Sequence, residues 1–351
     1  MLLNLPDKSP EKILEIFNEV YTKTKLFYLL KTAIELGLFD HLEEFRSVEE
    51  LAEILKIDVV MTEYILKVLE EIGLIECKTK NGKRQYKNTE ISNIFLKEGS
   101  FYSLRDPIHS CFENIKNWEN LSDILKNKKY RKKEDINSFF PKVIKKLADE
   151  CKCWELQKIL EYIAKYEEFK NAKKLLDLGG GHGLYAIGFT LLNKNLKSYV
   201  FDLPDVVKET QKFIKKYNAK NVFTIAGNFY TDDIGNGYDI IFCSYNPGGK
   251  NPKIAQKVYN ALNKGGLFIN KQFFPEKESI EDFLDNIEWN MFDAEGLKKD
   301  KRKYTFKGDL NLEKYLDYLK KLGFKIIEVK DINQILGIKY GKAKIIIAKK
   351  I

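Results

Sequence analysis

Residues 174–183, Lys-Leu-Leu-Asp-Leu-Gly-Gly-Gly-His-Gly, constrain the fold of this chain more than any other stretch. An apolar run closes on an acid and a glycine cluster, and a helical pattern from Leu184 to Leu192 follows. Strand, glycine turn and helix N-terminus in that order form a nucleotide-type cofactor site. Two cofactors compete for it. Gly181, Gly183 and Ala186 supply a dinucleotide fingerprint, whereas Asp177, Gly179, Gly181 and Gly183 supply the acid and alternate glycines of an S-adenosylmethionine site. Charge favours the second. A carboxylate repels a pyrophosphate but attracts the ammonium and sulfonium of S-adenosylmethionine, and glycines let backbone approach the ligand. Ser198–Asp202 reads as a second strand ending in an acid, placed where a carboxylate takes ribose hydroxyls. Asp202 therefore indicates a nucleoside and suits either cofactor.

The pattern around this stretch alternates. Strands are expected at 174–178, 197–201, 221–226, 238–243, 266–271, 324–329 and 343–349. Helices are expected near 184–193, 204–217, 252–263, 279–293 and 311–322. This predicts a doubly wound, mainly parallel seven-stranded sheet. Gly323 and a hairpin-like region from Gly337 to Gly341 suggest a final antiparallel pair. Upstream, a helix over 10–40, a capping box at Ser47 and Glu50, a helix over 62–72 and two strands around Asn81-Gly82 spell a winged helix. Glu63, Glu70 and Glu71 outnumber Lys67 on the last of these helices, so a DNA-reading role is disfavoured. Residues 101–170 read as helical, with a basic loop at Lys126, Lys128, Lys129, Arg131, Lys132 and Lys133 taken as a solvated linker.

A net charge of +9 with 32% charged residues suits a lysine-rich soluble protein as well as a nucleic-acid binder. No apolar run is long enough to span a membrane, and no basic-then-apolar signal pattern opens the chain, so a cytoplasmic location is expected. Cys77, Cys111, Cys151, Cys153 and Cys243 are too scattered for a zinc site and are expected as reduced, buried thiols, with no metal.

Three blocks give the chain a family resemblance: Ala33–Leu42, Ser47–Ala52 and Leu69–Leu74 near the N-terminus. Asp177–Gly183, Phe201-Asp202-Leu203-Pro204 and Ala226-Gly227-Asn228-Phe229 extend it. Together they resemble the class I, S-adenosylmethionine-dependent methyltransferases of the plant-type O-methyltransferase group, related to acetylserotonin methyltransferases. The resemblance implies an α/β Rossmann-like methyltransferase domain preceded by a mostly helical winged-helix domain. It implies a dimerisation domain over 1–100, a helical connector contributing to the substrate pocket over 101–170, and a catalytic domain over 171–351. It implies a homodimer acting on a small-molecule acceptor. Asp177, Gly179 and Gly181 are expected beside the methionine part of the cofactor, Asp202 on the ribose, and Leu203, Asn228 and Phe229 around the adenine. Cys243, at the end of the fourth strand, joins the expected cofactor contacts. Phe112, Phe140, Trp289, Met291 and Phe292 are expected to line a pocket for a planar or acidic acceptor. His182 replaces the family's threonine or serine and is expected to cap or flank the cofactor.

Two departures bear on mechanism. The family's catalytic histidine is absent after the fourth strand, where the chain reads Phe242-Cys243-Ser244-Tyr245-Asn246-Pro247. Asn246 is its expected counterpart, yet an amide is no base at neutral pH. Lys271 stands where the family often has glutamate, and could bind an acidic substrate or pair with a nearby acid. Asn246, Tyr245 and Lys271 are the expected catalytic set, with His109, Glu288 and Glu295 as substitutes. The acceptor atom is open among oxygen, carbon, nitrogen and sulfur. Alternatives are a winged-helix DNA-binding regulator with S-adenosylmethionine as effector, a protein or RNA methyltransferase, and a cofactor binder that transfers nothing.

Overall fold

A computed structural model describes residues 5–127, 129, 131–274, 278–296, 298–339 and 342–351. Lys128 of the basic loop and Gly341 of the expected hairpin lie outside them. The chain forms two compact units, Met1–Asn114 and Ile115–Ile351.

In the first unit, α1 (Glu11–Glu35) runs to a left-handed Gly37, where φ is 67°. Ser47 and Glu50 close their capping box at the start of α2 (Val48–Leu55), and Asp58 caps α3 (Val59–Glu71). Strands β1 (Ile75–Lys80) and β2 (Lys83–Asn88) pair antiparallel. Asn81 and Gly82 both take positive φ, 52° and 74°, which the tight turn between twisted strands requires. Leu38, Phe39, Leu42, Leu51, Leu66, Leu69 and Tyr86 fill the core between them. On α3 the outward side chains are Val60, Met61 and Tyr64, Lys67 pairs with Glu63 at 2.6 Å, and Arg84 of the hairpin pairs with Glu70. These cations are already neutralised, so this surface does not suit a phosphate backbone.

In the second unit a short helix, Leu121–Lys126, and a strand, Lys132–Asp135, precede α4 (Ile136–Lys152) and α5 (Glu155–Ile163). Then strands and helices alternate: β3 (Lys174–Leu178), α6 (Leu184–Leu192), β4 (Lys197–Asp202), α7 (Pro204–Lys216) and β5 (Val222–Ala226). β6 (Tyr238–Ser244), α8 (Pro252–Ala261), β7 (Leu262–Phe273), α9 (Ile280–Asn290), α10 (Leu312–Leu322), β8 (Phe324–Asp331) and β9 (Ala343–Lys350) follow. The seven strands lie in the order β5-β4-β3-β6-β7-β9-β8. All neighbours are parallel except β9, which runs antiparallel to both β7 and β8. Side chains alternate across the sheet. Leu176, Ile241, Cys243 and Phe268 pack one way with α8 and α10, while Leu175, Ile240, Phe242 and Ile269 pack the other way with α5 and α6.

Several expectations are corrected. α9 ends at Asn290 rather than 293, because Phe292–Glu295 forms a parallel pair with Lys132–Asp135. A pairing partner 160 positions away leaves no local trace, which is why the basic loop and its surroundings read as helix and linker. The expected final antiparallel pair is present as β8 and β9, and a short helix, Ile332–Leu336, closed by Gly337 at φ 67°, lies between them. All five cysteines are free, but Cys111 is exposed and Cys77 only partly covered.

Candidate active site

Strand order reverses between β3 and β6, and ligands of open α/β sheets bind outside the carboxyl ends of the strands at such a switch point. The glycine turn leaves β3 there. Gly179, Gly181 and Gly183 hold φ of 67°, 53° and 70°, a region that glycine enters without strain. A Cβ on Gly180 would stand 2.5 Å from the Asp177 carboxyl carbon, so the turn folds directly over that acid. Two groups pin it from the side. Asp202 accepts from the Gly181 N–H at 2.9 Å and from the Leu203 N–H at 2.8 Å. Thr210 donates its hydroxyl to the Gly181 carbonyl at 2.5 Å, a contact that no local sequence signal announces.

The electrostatics of the turn call for a cation. Asp177 is 1% exposed, and its Oδ2 has no hydrogen-bond partner among the described residues. Burial, helped by the nearby Asp202 charge, pushes its carboxyl up to about 7. Burial likewise raises Asp202 to about 6 against the pull of its two N–H donors. An orphaned buried carboxylate oxygen beneath a glycine cradle fits the ammonium end of S-adenosylmethionine, and Asp202 keeps lone pairs for a ribose diol. His182 accepts from the Leu184 N–H at 3.1 Å through Nδ1, capping α6, and burial lowers it to about 4, so it is neutral.

β6 delivers Tyr245 and Asn246 to the same edge. Asn246 is committed to structure. Its amide donates to the Leu178 carbonyl at 2.5 Å and accepts from Gly248 N–H at 3.1 Å, and its Cβ packs where a Gly179 side chain would be. The expected catalytic amide is therefore a clamp between β3 and β6. Lys271 is neither on the surface nor open to a pocket. It is 0% exposed, ion-paired to Glu155, and 2.9 Å from the Tyr185 hydroxyl, with its ammonium 4.2 Å from the Tyr245 ring centre. Tyr185 donates to Glu155 Oε1 at 2.8 Å, and Tyr245 reaches Oε2 at 3.5 Å. Burial opposes charge on Glu155, but the Lys271 ammonium and the three donors outweigh it and hold the carboxyl below its usual range. Sequence reasoning missed Glu155 and Tyr185. Their one signal was an acid opening an amphipathic helix after Trp154. Tyr245 itself is 42% exposed and holds a left-handed φ of 53°, a strained state for a non-glycine residue.

Leu203 flanks α7 and Phe229 rests against Tyr230, ring centres 4.9 Å apart, and Leu203 and Phe229 are both half-buried. Asn228 accepts from the Tyr230 N–H through Oδ1 at 2.9 Å. Cys243 is 0% exposed in the main core, and its side chain offers no surface to a ligand. Phe112 belongs to the core of the first unit, 5.0 Å from the Phe27 ring. Phe140 stands half-buried on α4 against Phe139. Met291 and Phe292 follow α9 rather than lying on it, and Trp289 is 8% exposed, packed against Phe292, Tyr304 and Phe306. Phe292 also lines a cavity of about 300 Å³ with Arg131, Asn290, Asp293, Lys299, Asp300 and Lys301. A row of rings, Tyr245–Phe273–Tyr304–Trp289, joins the strand edge to this aromatic cluster. Of the substitute bases, His109 is exposed in the first unit, Glu288 accepts from the Trp118 indole at 3.2 Å, and Glu295 is exposed.

Known proteins resemble this chain in sequence and fold. The family model of the O-methyltransferase dimerisation domain matches residues 20–98, and that of the O-methyltransferase domain matches residues 127–305. An uncharacterized protein of Methanocaldococcus jannaschii is 68% identical over 339 residues, 96% of this chain and 91% of that protein. The acetylserotonin O-methyltransferase of Gallus gallus is 24% identical over 270 residues, 67% of this chain and 72% of that enzyme. Among solved structures, human N-acetylserotonin methyltransferase in complex with its methyl donor superposes with a TM-score of 0.70 at 17% identity, covering 99% of both chains. An O-methyltransferase family protein from Burkholderia thailandensis gives a TM-score of 0.70 at 15% identity, over 98% of this chain and 99% of that one. With both models matched in order and the second spanning half of the chain, the chain belongs to the O-methyltransferase family and is an S-adenosylmethionine-dependent methyltransferase.

Proposed function

We propose that the chain methylates an oxygen of a small-molecule acceptor, as a homodimer assembled through its first unit. The observation that carries the cofactor end of this reading is the unpartnered Asp177 Oδ2 under the glycine turn, with the Asp202 carboxylate beside it. When bound, S-adenosylmethionine supplies a methyl group already activated on a sulfonium. The protein's share is placement and exclusion of water. Asp177 would hold the ammonium, Asp202 the ribose hydroxyls, and Leu203, Asn228 and Phe229 the adenine. Of the three residues expected to act on the acceptor, Tyr245 alone combines a hydroxyl with access at the strand edge. The dimerisation domain, with Ile13, Leu14, Phe17, Val20 and Tyr21 exposed along α1, supports the homodimer. The test uses cofactor labelled in the methyl group, incubated with a whole-cell extract that is afterwards separated into small molecules, protein and RNA. Label is expected in a base-stable ether. Label recovered in protein or RNA instead would overturn the small-molecule reading.

Cofactor binding should also depend on pH. An ammonium beside Asp177 favours the ionised carboxylate, so binding expels the proton that Asp177 carries below about pH 7. Affinity is expected to fall by up to about tenfold per unit as pH drops from 7 to 5, and to level off above 8. Calorimetric titration in two buffers of different ionisation enthalpy measures the released proton. Equal heats at pH 6 would contradict the assignment.

A further inference from the structure

We infer that Glu155 is the counter-charge by which this site tells the sulfonium substrate from its thioether product. The inference rests on the methyltransferase reading above. Four elements converge on the pair: Glu155 opens α5, Tyr185 lies in the first turn of α6, Tyr245 follows β6, and Lys271 lies in the buried run of β7. The cluster adjoins the cofactor turn. Asn246, next to Tyr245, packs on Gly179, and the ring of His182, within the turn, lies 6.4 Å from that of Tyr185.

The pair has a direction. The Lys271 side chain is 0% exposed and that of Glu155 is 24% exposed, so the positive end is sealed and the negative end is the less covered of the two. His182 is neutral and adds no opposing cation. Tyr245, held over the lysine, leaves the carboxylate as the charged group of the pair with access at this edge.

Stability does not require such a pair. Lys271 follows Leu267 and Ile269 on an apolar face of β7, where a third apolar side chain would continue the packing. Replacing a buried ion pair with apolar groups is commonly neutral or stabilising. A device for recognising charge accounts for it better. S-adenosylmethionine and S-adenosylhomocysteine differ by one methyl group and one positive charge. The methyl changes apolar contact slightly, and a partly covered carboxylate in a desolvated site responds to the charge. Preference for the cation would also hasten release of the product.

The test is calorimetric and needs no acceptor. Dissociation constants for S-adenosylmethionine and S-adenosylhomocysteine are measured on the full chain, on Glu155→Gln, and on Glu155→Gln/Lys271→Met. The preference for the sulfonium is expected to fall about tenfold in both variants, with the affinity for S-adenosylhomocysteine changing less than about threefold. The double variant leaves no buried charge unpaired, so it remains informative where the single variant fails to fold. A ratio unchanged in the double variant would overturn the inference and make the pair a strut. Failure of the unmodified chain to bind either ligand would overturn the methyltransferase reading, and this inference with it.

Discussion

Asp202→Ala is expected to raise the dissociation constant for S-adenosylmethionine by about a hundredfold or more, some 3 kcal/mol. The carboxylate does two things that an alanine cannot. It holds the glycine turn through the Gly181 N–H at 2.9 Å and the start of α7 through the Leu203 N–H at 2.8 Å. In the proposed cofactor site it also presents the acceptors for the ribose. Removing it frees the turn and loses the diol together, so the effect exceeds one hydrogen bond. The fold should survive, because burial already disfavours this carboxylate and raises it to about 6. Calorimetry on the variant, with circular dichroism to show that it is folded, checks the expectation. Binding within threefold of the unmodified protein would move the ribose site away from Asp202. Asp202→Asn should fall between the two, since one oxygen remains and the amide opposes one of the N–H donors.

The second large effect is on stability. Lys271→Met is expected to cost about 3–5 kcal/mol, because it leaves Glu155 charged, largely but not wholly covered, and without its cation. The double variant Glu155→Gln/Lys271→Met should return to within about 1 kcal/mol of the unmodified chain, since both charges leave together. Denaturant unfolding at pH 7 measures both. The pH dependence has opposite signs in the two backgrounds. In the unmodified chain the Glu155 carboxyl is lowered, so its contribution is full above the ordinary glutamate range and is lost as pH falls through the folded value. In Lys271→Met burial dominates and the carboxyl is raised, so the deficit shrinks toward acid and grows as pH rises. A single variant as stable as the double would show that no charge was left unpaired.

Much of this protein is legible along the chain because its signals are local. The run from Lys174 to Gly183 must be strand, turn and helix start: apolar residues seek the sheet interior, and three of its glycines take positive φ. Asn81-Gly82 sets a hairpin and Ser47 with Glu50 starts a helix for equally local reasons. Regular alternation between strand and helix patterns then gives the parallel sheet. These features determined the family and point to the two acids proposed to hold its cofactor.

What only tertiary structure decided are the pairings between distant residues. Glu155 and Lys271 are 116 positions apart, and neither carries a pattern that names the other. Asn246 looked like a substitute for the missing histidine until its amide was found spent on Leu178 and Gly248. Phe112 looked like a pocket residue until it was found in a separate core. Phe292 and Asp293 read as the end of a helix because the strand partner of Phe292–Glu295, Lys132–Asp135, lies far back in the chain. Hydrophobic period and turn chemistry act over a few residues and set the elements. Desolvation and hydrogen bonding act between whichever groups the finished fold brings together, and they decide which buried charge meets its partner and which faces the ligand.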